Sequence, residues 1–285
     1  MISFLRKLLV MDRRIIYTGL ALCMIIPMIV PLGLPVLVGD ITRAFYNQIE
    51  NLEEGALVVI GFEAGPSQQA EFGPMAQCLV RHLAQKKARI VVQSYWAQGC
   101  TLFLQWTAAV REEMQLKYGE NFVSLGFRAG VTAVMDSARY DYIEAYSDRD
   151  DTGLPLSTMP IMEGFNKVSD IDLVIVFTQG SPGIDTYISN WVSLGDVTNI
   201  MTCNIAGGVP TATNLYQAGL TQGIIGGMNG AAQYEFLLGK PGGATSGMDG
   251  QGLVHLFIIF LVVCGNIAYF TVRRADQQAR ASINR

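Results

Sequence analysis

The chain has 285 residues, half of them hydrophobic, with 20 basic against 24 acidic side chains and a net charge of −4. Its mean hydropathy of +0.30 is raised by two long apolar runs, and residues 40–250 between them have ordinary polarity and the length of one domain or two joined halves. Those central residues hold 12 basic and 22 acidic side chains, while each flank carries a net +3. An acidic body argues against nucleic acid as a partner, because phosphate backbones demand a cationic surface.

Residues 1–14 place Ile2, Phe4, Leu5, Leu8 and Leu9 around Arg6 and Lys7, the composition of a short amphipathic helix at a membrane surface. Residues 15–39 follow with no charge in 25 positions, which predicts a first transmembrane helix. The run is too long for the core of a signal peptide, and Pro-Leu-Gly-Leu-Pro offers no small-residue cleavage site, so it is read as uncleaved. Pro27, Pro31 and Pro35 imply that this crossing is kinked, or gives way near Pro31 to an extended exit. A second uncharged run, residues 250–272, predicts a second crossing, and residues 273–285 form a basic tail. Arg6, Lys7, Arg13 and Arg14 precede the first crossing and Arg273, Arg274, Arg280 and Arg285 follow the second. The positive-inside rule then sets both tails in the cytoplasm of a two-pass cell-membrane protein, with residues 40–249 outside the cytoplasm.

Within the body, residues 41–52 predict a linking helix with Ala44, Phe45, Ile49 and Leu52 on one face. Short apolar runs at 56–62, 88–94, 122–127, 172–178, 199–205 and 223–226 predict strands. Helical stretches at 71–85, 102–118, 131–143, 185–194, 211–218 and 230–238 alternate with them. Fully apolar strands alternating with helices predict an α/β fold, a mainly parallel sheet with helices on both faces in a three-layer, Rossmann-like arrangement. Residues 148–160 lack periodicity and connect possible halves at 40–147 and 161–240. Residues 240–250 are glycine-rich and read as a flexible or tightly turned return to the membrane, with an ordered intersubunit loop as the alternative.

In such sheets ligands sit beyond the carboxyl ends of the strands. The candidate binding residues there are Glu63, Ser67, Ser94, Thr178, Gln179, Gly180, Ser181 and Asn204, facing a small molecule or anion. Within 178–183, Gly180 would let backbone amides converge and Ser181 would cap the following helix. A hydrolytic role for Ser181 needs a base, and His82 lies in an early helix with no evident reason to approach it. Neither phosphate-binding glycine signature occurs, so no nucleotide cofactor is expected.

Cys23, Cys78, Cys100, Cys203 and Cys264 lack metal-ligand spacing and read as buried thiols, with a disulfide among the central three as the alternative. Asp148, Asp150 and Asp151 read as a solvated acidic loop rather than a calcium site. In the second crossing, Asn266 needs a hydrogen-bond partner and Gly265 beside it permits close approach by another helix. The expected partners are therefore the lipid bilayer and further copies of the chain, with a small molecule or another protein open. A structural or scaffolding homo-oligomer is expected ahead of a ligand-binding sensor, and a membrane-bound hydrolase last.

Overall fold

The computed structural model describes residues 2–30 and 32–283. Pro31 and Arg285 lie outside the described residues, as do the side chains of Lys7, Leu8 and Arg280. The chain divides into two compact units, one of residues 35–245 and one of residues 1–34 with 246–285.

The larger unit opens with α3 (Asp40–Glu50), after α1 (Ile2–Leu9) and α2 (Arg13–Ile29) of the smaller one. Strands β1 (Leu57–Glu63), β2 (Arg89–Ser94) and β3 (Phe122–Phe127) alternate with α4 (Gln69–Gln85) and α5 (Gly99–Glu113). The short helices α6 (Val131–Ala138) and α7 (Tyr142–Ala145) follow, replacing the single helix expected over 131–143. Then come β4 (Leu173–Thr178), α8 (Ile184–Tyr187) with a wider turn at Ile188–Val192, β5 (Ile200–Asn204), α9 (Val209–Gln217), β6 (Ile224–Gly226) and α10 (Gly227–Leu237). All six strands form one parallel sheet in the order β3-β2-β1-β4-β5-β6, so both expected halves contribute three strands to it.

Parallel strands covered on both faces bury every side chain, and β1, β4 and β5 are buried throughout. One face carries Phe62 and Phe177 against Phe72 of α4 and Phe103 of α5, with Phe62 centroids 4.8 Å from Phe177 and 5.1 Å from Phe103. The other carries Leu57, Val59, Val91 and Val174 against Tyr142, Tyr187 and Trp191. The β3 edge is covered by its own connections: the Asp151 amide donates to the Ser124 carbonyl and the Gly119 amide to that of Phe122.

The smaller unit departs from the expected pair of membrane helices. Among the described residues one helix, α11 (Gly243–Ile283), is long and apolar enough to cross a membrane, over Gly243–Gln278. The 15–39 run is helical only to Ile29, and its 17-residue helix rises about 25 Å against a hydrocarbon core of about 30 Å. Val30 is already extended, as the residue before a proline tends to be. The backbone beyond is held by Asp249, whose carboxylate accepts the amides of Leu32, Gly33 and Leu34 at 2.9, 3.0 and 3.3 Å.

α2 and α11 run antiparallel. Gly19 meets Phe257 and Met24 meets Gly250, so contacts advance along one helix as they retreat along the other. A Cβ at Gly19 would lie 2.5 Å from the Phe257 ring, so the missing side chain is what admits that ring. At the far end Arg6 of α1 pairs with Asp276 of α11.

The flexible return expected over 240–250 is a correction as well, since helix begins at Gly243. The cause is Glu235 of α10. Its carboxylate accepts the amides of Gly242, Ala244 and Thr245 at 2.8, 3.0 and 2.8 Å and the Thr245 hydroxyl at 2.5 Å. A carboxylate on the first amides of a helix satisfies donors that have no intrahelical partner and complements the helix dipole. That offsets glycines at 243, 247, 250 and 252, each of which disfavours helix by about 1 kcal/mol.

Candidate functional site

Strand order reverses between β1 and β4, and there the loops 64–68 and 179–183 diverge to opposite sides. Register places Glu63 beside Thr178, Thr178 beside Asn204, and Asn204 beside Gly226. Glu63, Thr178 and Asn204 therefore share one row across the sheet. The candidates named from the sequence do not share one exposure.

Glu63 is fully buried. Side chains alternate along a strand, so it falls on the face of Leu57, Val59 and Gly61, among the tyrosines of the core. Tyr187 Oη donates to Glu63 Oε1 at 3.0 Å, and the Tyr95 amide donates to Oε2 at 2.9 Å. Ser94 Oγ lies 3.2 Å from Oε2 and 2.8 Å from the Phe62 carbonyl oxygen. Burial pushes the Glu63 carboxyl up to about 7, against the opposing pull of the Tyr187, Tyr95 and Ser94 donors.

The network continues through residues that carry no local signal of it. Gln93 Nε2 donates weakly to Tyr187 Oη at 3.4 Å, and Gln93 Oε1 accepts the hydroxyls of Tyr146, at 2.5 Å, and Tyr142. Burial raises the pKa of all three tyrosines, so they act as neutral donors. Gly61 makes the assembly fit, because a Cβ there would lie 2.1 Å from Tyr187 Oη. The usable sequence signal was Gln93 itself, a polar residue inside the apolar run Arg89–Ser94. A buried amide obliges partners on other elements.

The other candidates divide between closed and open positions. Thr178 and Asn204 are nearly buried, Thr178 Oγ1 donating to the Gly180 carbonyl at 3.1 Å and Asn204 Oδ1 accepting Thr202 Oγ1 at 2.8 Å. Ser67, Gln179, Gly180 and Ser181 are exposed on the two loops. Gln68 Oε1 accepts the Gly65 amide at 2.7 Å and ties down the first loop.

Ser181 does not cap the helix after β4. The residue at that position is Gly183, whose amide donates to Thr186 Oγ1 at 3.3 Å, and α8 is one turn long. His82 is buried in α4 with both ring nitrogens engaged, Nδ1 at 2.7 Å from Tyr234 Oη and Nε2 at 2.9 Å from Glu50. Burial lowers its pKa, with Glu50 opposing.

The five cysteines are free. Burial pushes the Cys100 thiol up to about 12 and raises those of Cys78 and Cys203, which disfavours the nucleophilic thiolate. The acidic loop braces itself: Asp148 accepts the Ser157 amide and hydroxyl at 2.7 and 2.8 Å, and Asp150 accepts the Leu154 amide and the Tyr118 hydroxyl, each at 2.7 Å. Among the described residues no three His, Cys, Asp or Glu gather as a metal would require. Compared with known protein families, curated proteins and solved structures, the chain matches none.

Proposed function

We propose that the chain is a membrane-anchored α/β protein that self-assembles as a structural or scaffolding homo-oligomer, with α11 and the 15–39 run, helical to Ile29 and extended at Val30, as paired crossings. The observation that carries this reading is Asn266. It is exposed on α11 amid Val263, Ile267 and Phe270, with no hydrogen-bond partner among the described residues. A Cβ on the neighbouring Gly265 would meet nothing within 4 Å. An amide in hydrocarbon is costly unless paired, and asparagine, both donor and acceptor, is complementary to its own copy.

Support for paired crossings comes from the antiparallel contacts of α2 with α11 and from where the body holds its ends. The entering amide of Gly39 donates to Gln233 at 3.0 Å, and the departing amides of 242–245 donate to Glu235, two residues along α10. With basic flanks on both tails, the positive-inside rule then sets the acidic body outside the cytoplasm.

A strand-end binding module draws less support, because Glu63 is sealed in the core. A hydrolase using Ser181 draws least, since His82 is committed to Tyr234 and Glu50.

Size-exclusion chromatography with light scattering on the full chain in mild detergent tests the assembly. The expected result is a multiple of 31.1 kDa that falls toward one copy in Asn266→Leu. A wild-type monomer overturns it. For topology, cysteines introduced singly at the exposed positions Arg149 and Asp151 should label from outside intact cells, and protection there with labelling beyond residue 273 reverses the orientation.

A further inference from the structure

The first turn of α3, the start of α9, β6 and α10 line an open cleft of about 370 Å³. That is within the range of small-molecule sites, about 300–1,000 Å³. It lies at the β6 end of the sheet, away from Glu63, and two features of its lining would receive an occupant.

The first is the N-terminus of α3, an 11-residue helix whose N-cap is Gly39 and which therefore has no side-chain cap. Its first amides carry the positive end of the helix dipole. The second is an unpaired donor beside them. Gln233 is 8% exposed and lines the cleft; its Oε1 accepts the Gly39 amide, while Nε2 has no hydrogen-bond partner among the described residues. Thr42, 6% exposed and also on the lining, leaves Oγ1 in the same condition. Neither atom is sealed from solvent, so both are free to donate to whatever fills the cleft, water or ligand.

Charge narrows the ligand. Among the described residues Asp40 is the one acidic or basic residue on the lining, and it stands at the first position of α3. A simple anion would meet its carboxylate, and a simple cation would meet the helix N-terminus. A molecule with both charges is repelled by neither.

We propose that this cleft binds a small zwitterion of the α-amino acid class. Its carboxylate takes the first-turn amides of α3 and Gln233 Nε2, and its ammonium takes Asp40. Ile41 and Val209 leave an apolar wall for a short side chain. The site is independent of the assembly contact at Asn266, since every lining residue belongs to the α/β body.

The test is thermal unfolding of the full chain in detergent against the twenty amino acids, with acetate and ethylamine as half-ligands. At least one amino acid should raise the unfolding temperature saturably, and neither half-ligand should match it. Asp40→Asn, a change at an exposed side chain, should weaken the apparent affinity about tenfold, the effect of one lost charge-assisted hydrogen bond. Asn229→Trp, on the exposed rim, should abolish the shift while keeping the unliganded unfolding temperature. The proposal fails if no amino acid gives a saturable shift, if acetate alone reproduces it, or if Asp40→Asn and Asn229→Trp both respond as wild type.

Discussion

Glu63 makes the fold's stability depend on pH, and Glu63→Gln isolates that dependence. In the folded chain its carboxyl is raised from an ordinary 4.5 to about 7. The folded state therefore holds this proton more tightly than the unfolded state does. The contribution is complete below about pH 4.5 and is lost as pH rises through about 7. At about 1.4 kcal/mol per decade the loss amounts to about 3 kcal/mol. Glutamine is neutral throughout, keeps one acceptor for the Tyr95 amide, and offers Tyr187 a donor in place of the other oxygen.

The assay is denaturant unfolding of the full chain in detergent, followed by tryptophan fluorescence from pH 4.5 to 8.5. Subtracting the Glu63→Gln curve removes other titrating groups, and wild type should lose about 3 kcal/mol relative to the variant across that range. Tyr187→Phe removes a donor that favours the charged form, so it should move the wild-type midpoint higher. Parallel curves for wild type and Glu63→Gln, within about 0.5 kcal/mol, would refute the reasoning.

Further substitutions probe the contacts that shape the two units. Gly61→Ala drives a Cβ to 2.1 Å from Tyr187 Oη and should cost about 2–3 kcal/mol in the same unfolding assay. Glu235→Ala leaves the first amides of α11 without their acceptor and should cost about 2–4 kcal/mol, with faster amide exchange confined to 242–248. Asp249→Ala should speed exchange at Leu32, Gly33 and Leu34 and leave the α/β body unchanged. Gly19→Leu displaces the Phe257 ring and should lower cross-linking between cysteines placed along α2 and α11.

The sheet was legible because burial on both faces writes itself into continuous apolar runs. All six predicted strands occur, each within a residue or two of its expected limits. Glu63 was identifiable as a strand end, but not as a sealed one. Its environment is made by Tyr187, 124 residues away, and by Gln93, whose own partners Tyr142 and Tyr146 lie 49 and 53 residues further on. No local pattern encodes that convergence. The start of α11 misled for a related reason: glycine density predicts a tether by propensity, whereas the Glu235 carboxylate supplies the cap from the preceding helix. At α2 the prolines did signal an extended exit, and Asp249, more than 200 residues downstream, holds it.

Three consecutive residues of α10 give that helix a role beyond covering the sheet. Successive helical side chains point about 100° apart, so Gln233, Tyr234 and Glu235 face three directions. Gln233 takes the backbone entering the body at Gly39, Tyr234 takes His82 of α4, and Glu235 takes the backbone leaving it. All three side chains are buried, with Tyr234 and Glu235 in the interior and Gln233 at the edge of the open cleft. Loosening either end of the body must therefore strain the α10–α4 contact. His82→Phe keeps the ring against Tyr46 but removes the partner of Tyr234 Oη, leaving a buried hydroxyl unpaired at a cost of about 1–3 kcal/mol. Amide exchange should then quicken at Gly39 and at Gly242 together. Acceleration confined to α4 would show that the two ends are held independently.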